Sequence, residues 1–183
     1  MDDTLNNFTV TLQQTEFKYN DSYGLTKENF SKYLSKLQNR ESDDNELLST
    51  EFAYFRYNIY EQCHKLAIAK PEGIEFMQWL RANNWRIVIC TYRDLRRAIP
   101  YTKEWLNTNK IPWDHVFSAQ NKIVFCKLWG IQYLIDDDKF NILFGEKYGV
   151  KVYYPIMTQH EGLQETGARG FNTFDEVKRW MQE

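Results

Sequence analysis

The chain has 183 residues, and its 23 Lys and Arg against 25 Asp and Glu give a formal charge of −2. That length implies one domain with room for an insertion, and the near-neutral balance excludes a protein built to neutralise many nucleic-acid phosphates. Aromatic residues make up 16% of the chain beside only 8 Gly and 4 Pro, which excludes a disordered or low-complexity polymer. The longest apolar runs, around Ile87–Cys90 and Tyr133–Ile135, fall far short of the ~18 residues of a membrane span. The opening Met1-Asp2-Asp3-Thr4-Leu5 has neither the basic nor the apolar region of a secretory signal. Cys63, Cys90 and Cys126 are odd in number and widely separated, as expected of reduced thiols in a cytoplasmic protein.

In chain order, residues 26–38 place Phe30, Tyr33, Leu34 and Leu37 at helical spacing behind a Thr26 cap. Residues 41–46 are acidic and polar and read as a solvated loop. A second helical pattern, dense in Phe and Tyr, runs from about Asn45 to Leu66. Pro71 suits the first position of a third helix, whose stripe is Ile74, Met77, Trp79 and Leu80. The period then changes, because 85–90 is a short β-branched run fit for a buried strand.

A helical stretch at 94–99, a helix restarted by Pro100 and a short strand at His115–Phe117 follow. Helical spacing at Ile123–Leu128 stops at Gly130, a good residue just past a helix end. Gln132–Ile135 is a strand, Phe140–Tyr148 a helix and Lys151–Tyr154 a strand. Thr173 and Glu176 form a capping-box pattern opening a terminal helix that faces inward with Phe174, Val177, Trp180 and Met181. Strands alternating with helices predict an α/β fold with a parallel, doubly wound sheet and helices on both faces. Residues 1–9 and 71–183 are expected to form this core. Residues 10–70, helical without strands, are expected to be an inserted cap.

Ligands of such sheets sit at the carboxyl ends of the strands. There the sequence puts Thr91-Tyr92-Arg93-Asp94, Asp136-Asp137-Asp138 and, at a helix start, Lys122. Each has a plain structural use: Thr in turns, Lys in solvent, Asp as a helix cap. Together they supply a hydroxyl and a cation for phosphate oxygens and carboxylates for Mg²⁺, which phosphoryl transfer requires.

These segments resemble the four ordered motifs of the haloacid dehalogenase superfamily of phosphohydrolases, most closely its capped 5′(3′)-deoxyribonucleotidase-like members. Asp2-Asp3-Thr4 is similar to the end of the first motif, D-x-D-x-T, and Ile87–Thr91 to the second. Lys122 stands for the third and Leu134-Ile135-Asp136-Asp137 for the fourth. The resemblance implies a haloacid dehalogenase-like Rossmannoid sheet with a helical cap, and a Mg²⁺-dependent phosphatase of small phosphate esters, with a deoxynucleoside monophosphate as candidate substrate. It implies Asp2 and Lys122 as catalytic groups, and Thr91, Tyr92, Arg93 and Lys122 as phosphate-binding groups. Asp2, Asp136 and Asp137 would be the metal-binding groups. Lys127 is the alternative to Lys122. Phe8, Phe17, Tyr19 and Tyr23 could stack on a base or form the cap's own core.

With Thr4 aligned to the motif's Thr, Asp2 takes the acid/base position and the nucleophilic Asp falls ahead of Met1. The strand leading into that motif is central in this family. Without it, buried strand edges would be left unpaired at roughly 1–3 kcal/mol per group. The expectation is a start lying upstream, with a decayed family member as the alternative. The second functional reading is a phosphate- or nucleotide-binding protein that retains Thr91, Lys122 and Asp136 without turnover. No membrane or nucleic-acid partner is expected.

Overall fold

The computed structural model describes residues 4–8, 10–11, 26, 29–33, 35, 50–93, 95–96, 98–157, 160, 163 and 167–183. Asp2, Asp94, Arg97, Phe17, Tyr19, Tyr23 and most of the 26–38 helix expectation lie outside them. The helical run predicted to reach Leu66 is present from Thr50 as α1 (Thr50–Tyr54), a π-helical stretch Phe55–Tyr60 and α2 (Glu61–Leu66). The wider π turn follows a string of aromatics: Phe55 packs among Phe52, Tyr33 and Tyr60 in a small apolar cluster of its own.

Pro71 opens α3 (Pro71–Ala82), as its fixed φ and missing N–H favour. There follow β1 (Val88–Thr91), α4 (Ala98–Thr108), β2 (His115–Ser118), α5 (Lys122–Trp129), β3 (Tyr133–Ile135) and α6 (Lys139–Phe144). The chain closes with β4 (Lys151–Pro155), β5 (Arg169–Phe171) and α7 (Phe174–Gln182). Gly130 ends α5 at φ 64°, the left-handed cap its position predicted. Thr173 and Glu176 form the expected capping box of α7.

Three expectations are corrected and one strand is added. The strand forecast at 85–90 begins at Val88, because the Ile87 backbone is bound by Asp114: its N–H donates to the Asp114 carboxylate at 2.7 Å and its carbonyl accepts from Asp114 N at 2.9 Å. Pro100 does not restart a helix. It is the third residue of α4, within the first turn where a missing N–H breaks no helical bond. The helix forecast at 140–148 ends at Phe144 and gives way to a 3₁₀ turn at Glu146–Tyr148. β5 was not foreseen.

All strand pairs are parallel, but they fall into two sheets among the described residues. β1 pairs with β2, and β3-β4-β5 form a separate three-stranded sheet. Alternation along β4 shows layers on both faces. Tyr153 belongs to the cluster built on Phe76 and Leu80 of α3 and Phe174 and Val177 of α7. Its neighbours Val152 and Tyr154 belong to the cluster built on Ile123 of α5 and Ile142 of α6. Residues 5–7 and 68–70, on either side of the 10–70 segment, pair with each other. Asn6 and Ala69 form an antiparallel bridge, Asn7 N donates to Ile68 O at 2.9 Å, and Lys70 N donates to Leu5 O at 3.0 Å. Among the described residues no helix is long and apolar enough to cross a membrane.

Candidate active site at the strand carboxyl ends

Asp136 is the first residue beyond β3, and its neighbours in space explain why an acid is tolerated at 1% exposure. One carboxylate oxygen accepts from Asp138 N at 2.9 Å and from Asn141 Nδ2 at 3.1 Å. The other receives the Lys122 ammonium in a direct ion pair. Burial opposes ionisation, but the Lys122 charge and these hydrogen bonds hold the Asp136 carboxyl below its ordinary range. Lys122 opens α5 behind the Asn121 cap, whose side chain accepts from Val124 N. Burial opposes its charge as well; Asp136, with Asp137 and Asp138 farther off, still holds the ammonium above its ordinary range.

Asp137 differs from its neighbour. It accepts from Thr4 Oγ1 at 3.2 Å, and burial together with the Asp136 charge pushes its carboxyl up. Asp138 has the plain structural use, because its side chain caps α6 by accepting from Phe140 N and Asn141 N. The three consecutive acids therefore divide into a buried ion-pair member, a carboxyl raised above its ordinary range and a helix cap.

Thr91 ends β1, buried, and its carbonyl accepts from Ala119 N at 2.9 Å. The preceding Cys90 feels both Lys122 and Asp136, which places the end of β1 beside that pair. Burial pushes the Cys90 thiol up to about 11 and that of Cys126 up to about 12, so neither is a thiolate nucleophile at neutral pH. Tyr92 is 55% exposed. Arg93 is buried, and its guanidinium donates to Thr102 Oγ1 of α4 at 2.6 Å, while its carbonyl accepts from Ser118 Oγ at 2.6 Å. The structure thus brings together Lys122, Asp136, Asp137 and Thr4 at one end of β3, directs Arg93 inward, and leaves Tyr92 open. Lys127, the alternative lysine, lies in the last turn of α5, away from its Lys122 end.

Two residues at this end escaped the sequence reading. Asn141 had as its one signal a polar residue inside the apolar run Phe140–Phe144. His160 had none. It is buried, with Nδ1 2.8 Å from Pro155 O and Nε2 2.8 Å from Asp137 O, and it ties the end of β4 to the acidic loop.

No protein-family model matches the sequence, and no curated protein matches it. Solved structures do match the fold. A dehalogenase with an intermediate complex aligns at a TM-score of 0.60 and 13% identity, over 98% of this chain and 93% of that one. A proposed beta-phosphoglucomutase from Thermotoga maritima aligns at a TM-score of 0.61 and 13% identity, over 100% of this chain and 95% of that one. The chain has the haloacid dehalogenase-like fold. Thr91 and the Asp136–Asp137 pair stand at the carboxyl ends of parallel strands, where such sheets carry their ligands, and Lys122 at the start of α5 pairs with Asp136 there.

The cofactor expected from the sequence resemblance is a divalent cation. Among the described residues no group of three or more His, Cys, Asp or Glu side chains is arranged to hold a metal. Asp136 and Asp137 fit one as a pair. They are adjacent hard-oxygen donors, and the Asp137 carboxyl, raised by burial and to a lesser extent by the Asp136 charge, is the one a cation would relieve.

Proposed function

We propose that this protein is a Mg²⁺-dependent phosphomonoester hydrolase of small phosphate esters, with a nucleoside monophosphate as candidate substrate. The observation that carries the reading is the buried Lys122–Asp136 ion pair beside Asp137 at the strand carboxyl ends. Asp136 and Asp137 would hold Mg²⁺, which when bound would polarise a phosphoryl oxygen. Lys122 bridges carboxylate and phosphate charge. Its ammonium is held protonated by Asp136, so it is a fixed cation and not a proton donor at neutral pH. The Thr91 hydroxyl and the backbone N–H groups after β1 bind phosphate oxygens, with Tyr92 open to substrate at the same turn. Arg93, directed at Thr102, holds that turn against α4. Asp2 is the proposed acid/base. Residues 10–70, clasped to the core at Leu5–Asn7 and Ile68–Lys70, are the proposed cap that excludes water.

The test is phosphate release from an aryl phosphate with and without Mg²⁺, by this chain and by a version lengthened at its amino end. Mg²⁺-dependent turnover that is lost in Asp136→Asn and Thr91→Ala supports the reading. A second reading, a phosphate-binding protein without turnover, has one observation in its favour: both Asp136 oxygens are already engaged by protein donors. Phosphate binding by calorimetry in both versions, with no turnover in either, would establish that second reading.

A further inference from the structure

An open groove of about 470 Å³ lies at the amino ends of β1 and β2, the opposite end of β1 from Thr91. Arg81, Asn84, Trp85 and Arg86 line it from the turn between α3 and β1, and Asp114 and His115 from the entry to β2. We propose that this groove binds the phosphate group of a small molecule, with the Arg86 guanidinium as its principal contact and Arg81, Asn84 and Trp85 around it. The proposal does not rest on the phosphatase reading, because none of these six residues belongs to the candidate active site.

The charges of the lining do not cancel. Asp114 is the one carboxylate among the lining residues, and both of its oxygens are engaged. Oδ2 accepts from Ile87 N at 2.7 Å and Oδ1 from Arg81 Nη2 at 3.0 Å. The Ile87 N–H, and after it Arg81, hold this carboxyl below its ordinary range, so it is ionised and its charge is matched by Arg81. Arg86 has no such match. It is exposed, and its Nη2 lies 2.7 Å from His115 Nε2. The imidazole nitrogen is the acceptor there, because a guanidinium has donors only. Two guanidinium groups therefore face one carboxylate, and Arg86 keeps most of its five N–H donors for a ligand. A phosphate suits that surplus. Two of its oxygens match the planar fork of an arginine, and the others are left for the Asn84 amide and the Trp85 indole N–H at the same groove.

The backbone presents these groups in a fixed arrangement. Asn84 adopts φ 61°, a left-handed conformation that asparagine tolerates, and it reverses the chain just past α3. Asn83 N donates to Trp79 O at 3.0 Å, Asn84 N to Arg81 O at 3.1 Å and Trp85 N to Leu80 O at 3.0 Å. These bonds occupy the last carbonyls of α3, whose partial negative charge would otherwise oppose an anion at a helix carboxyl end. Tyr133 meets the Trp85 ring edge to face at 5.5 Å between centroids and fixes that wall. On the far side, Asp114 ties the entries of β1 and β2 together through Ile87.

The experiment titrates the full chain with inorganic phosphate, with phenyl phosphate and with acetate, in about 0.15 M NaCl to screen diffuse surface charge and without divalent cation. Nuclear magnetic resonance reads the side-chain N–H signals of Asn84, Trp85 and Arg86 and, separately, the backbone signals of Thr91 and Lys122. Saturating shifts at Asn84, Trp85 and Arg86 are expected with both phosphates, and acetate should bind ~10-fold more weakly or worse. Arg86→Gln should weaken phosphate binding at this groove ~10-fold or more, read at Asn84 and Trp85. Lys147→Gln, which removes one charge from an exposed lysine of the 3₁₀ turn after α6, should leave it unchanged. Shifts that do not saturate, or equal weakening by the two variants, would assign the effect to diffuse charge and overturn the proposal. Shifts confined to Thr91 and Lys122 would overturn it while leaving the phosphatase reading intact, and acetate binding as tightly as phosphate would overturn the choice of ligand.

Discussion

Replacing Lys122 by Met tests the central electrostatic claim. In the native protein the Asp136 carboxylate, 1% exposed, faces the Lys122 ammonium, whose side chain is itself only 12% exposed. Removing the ammonium keeps the methylene packing but leaves a buried charge whose remaining partners are Asp138 N and Asn141 Nδ2. Breaking one side of a buried pair costs about 3–5 kcal/mol. For a protein of this size each kcal/mol is worth about 2–4 °C, so Tm at pH 7 should fall by about 6–20 °C. Adding Asp136→Asn removes the stranded charge while keeping an acceptor for both donors. The double variant should therefore recover most of that loss. Asp136→Asn alone should cost less than Lys122→Met, because a lysine can extend its ammonium toward water.

The pH dependence gives a second, independent readout. In the native protein Asp136 is held below its ordinary range, so its contribution is complete above ~4 and is lost as pH falls through the lower folded value. In Lys122→Met burial prevails and the carboxyl moves up, so protonation relieves the variant first. The deficit between the two proteins should be largest at pH 7 and shrink toward pH 4, measured by thermal unfolding followed by circular dichroism. A deficit below about 1 kcal/mol, or one constant between pH 4 and pH 7, would refute the buried-pair argument.

Asp137→Asn should have the opposite sign. Because burial and Asp136 push this carboxyl up, the native fold disfavours its charged form at neutral pH. The variant should melt higher than the native protein at pH 7 without divalent cation, an advantage that fades as pH falls through the raised value. It should also lose any Mg²⁺-induced rise in Tm. His160→Leu removes the imidazole that bridges Asp137 O and Pro155 O, and should cost about 1–3 kcal/mol in urea unfolding. An unchanged midpoint would show that the imidazole is not a tie. Gly130→Ala, at φ 64° with nothing near the added Cβ, should cost about 1–2 kcal/mol from backbone strain alone, and Gly130→Asn less.

Local chemistry was legible in the sequence wherever one residue determines a geometry. Pro71, Gly130 and Thr173 with Glu176 mark element ends through φ or a cap, and each end falls at its predicted place. Elements set by distant partners were not legible. β5 is three residues around Gly170 and becomes a strand only by pairing with β4. The start of β1 is decided by Asp114, 27 residues away, which takes the Ile87 backbone out of the ladder. The π turn at Phe55–Tyr60 depends on aromatic packing that helical periodicity cannot register. At the site, Thr91, Lys122 and Asp136 were singled out because residue types at strand and helix ends have few other uses in combination. Asn141 and His160 were not, since their roles come from folding back onto the acidic loop.

The Asp136-Asp137-Asp138 run shows how the fold creates chemistry that composition cannot carry. Three identical side chains at the end of one strand would, in water, titrate alike near the ordinary aspartate value of ~3.9. The first ends up buried, where the Lys122 charge and two donors help make ionisation tolerable. The third follows the turn into α6, where backbone N–H groups give it a capping role near solvent. Between them Asp137 is half-buried without an ion pair of its own, and loss of solvent, with the Asp136 charge adding to it, pushes its carboxyl up. It is thus the member whose charge the fold leaves least compensated, and the one with the most to gain from a cation. If Asp137 is the principal contact of the metal, Asp137→Asn should weaken Mg²⁺ binding more than Asp138→Asn by at least tenfold in isothermal titration, while Asp138→Asn, still a competent cap, leaves it nearly unchanged. Equal losses in the two variants would mean that the acidic loop acts as a diffuse charge, and the division of labour argued from burial would fail.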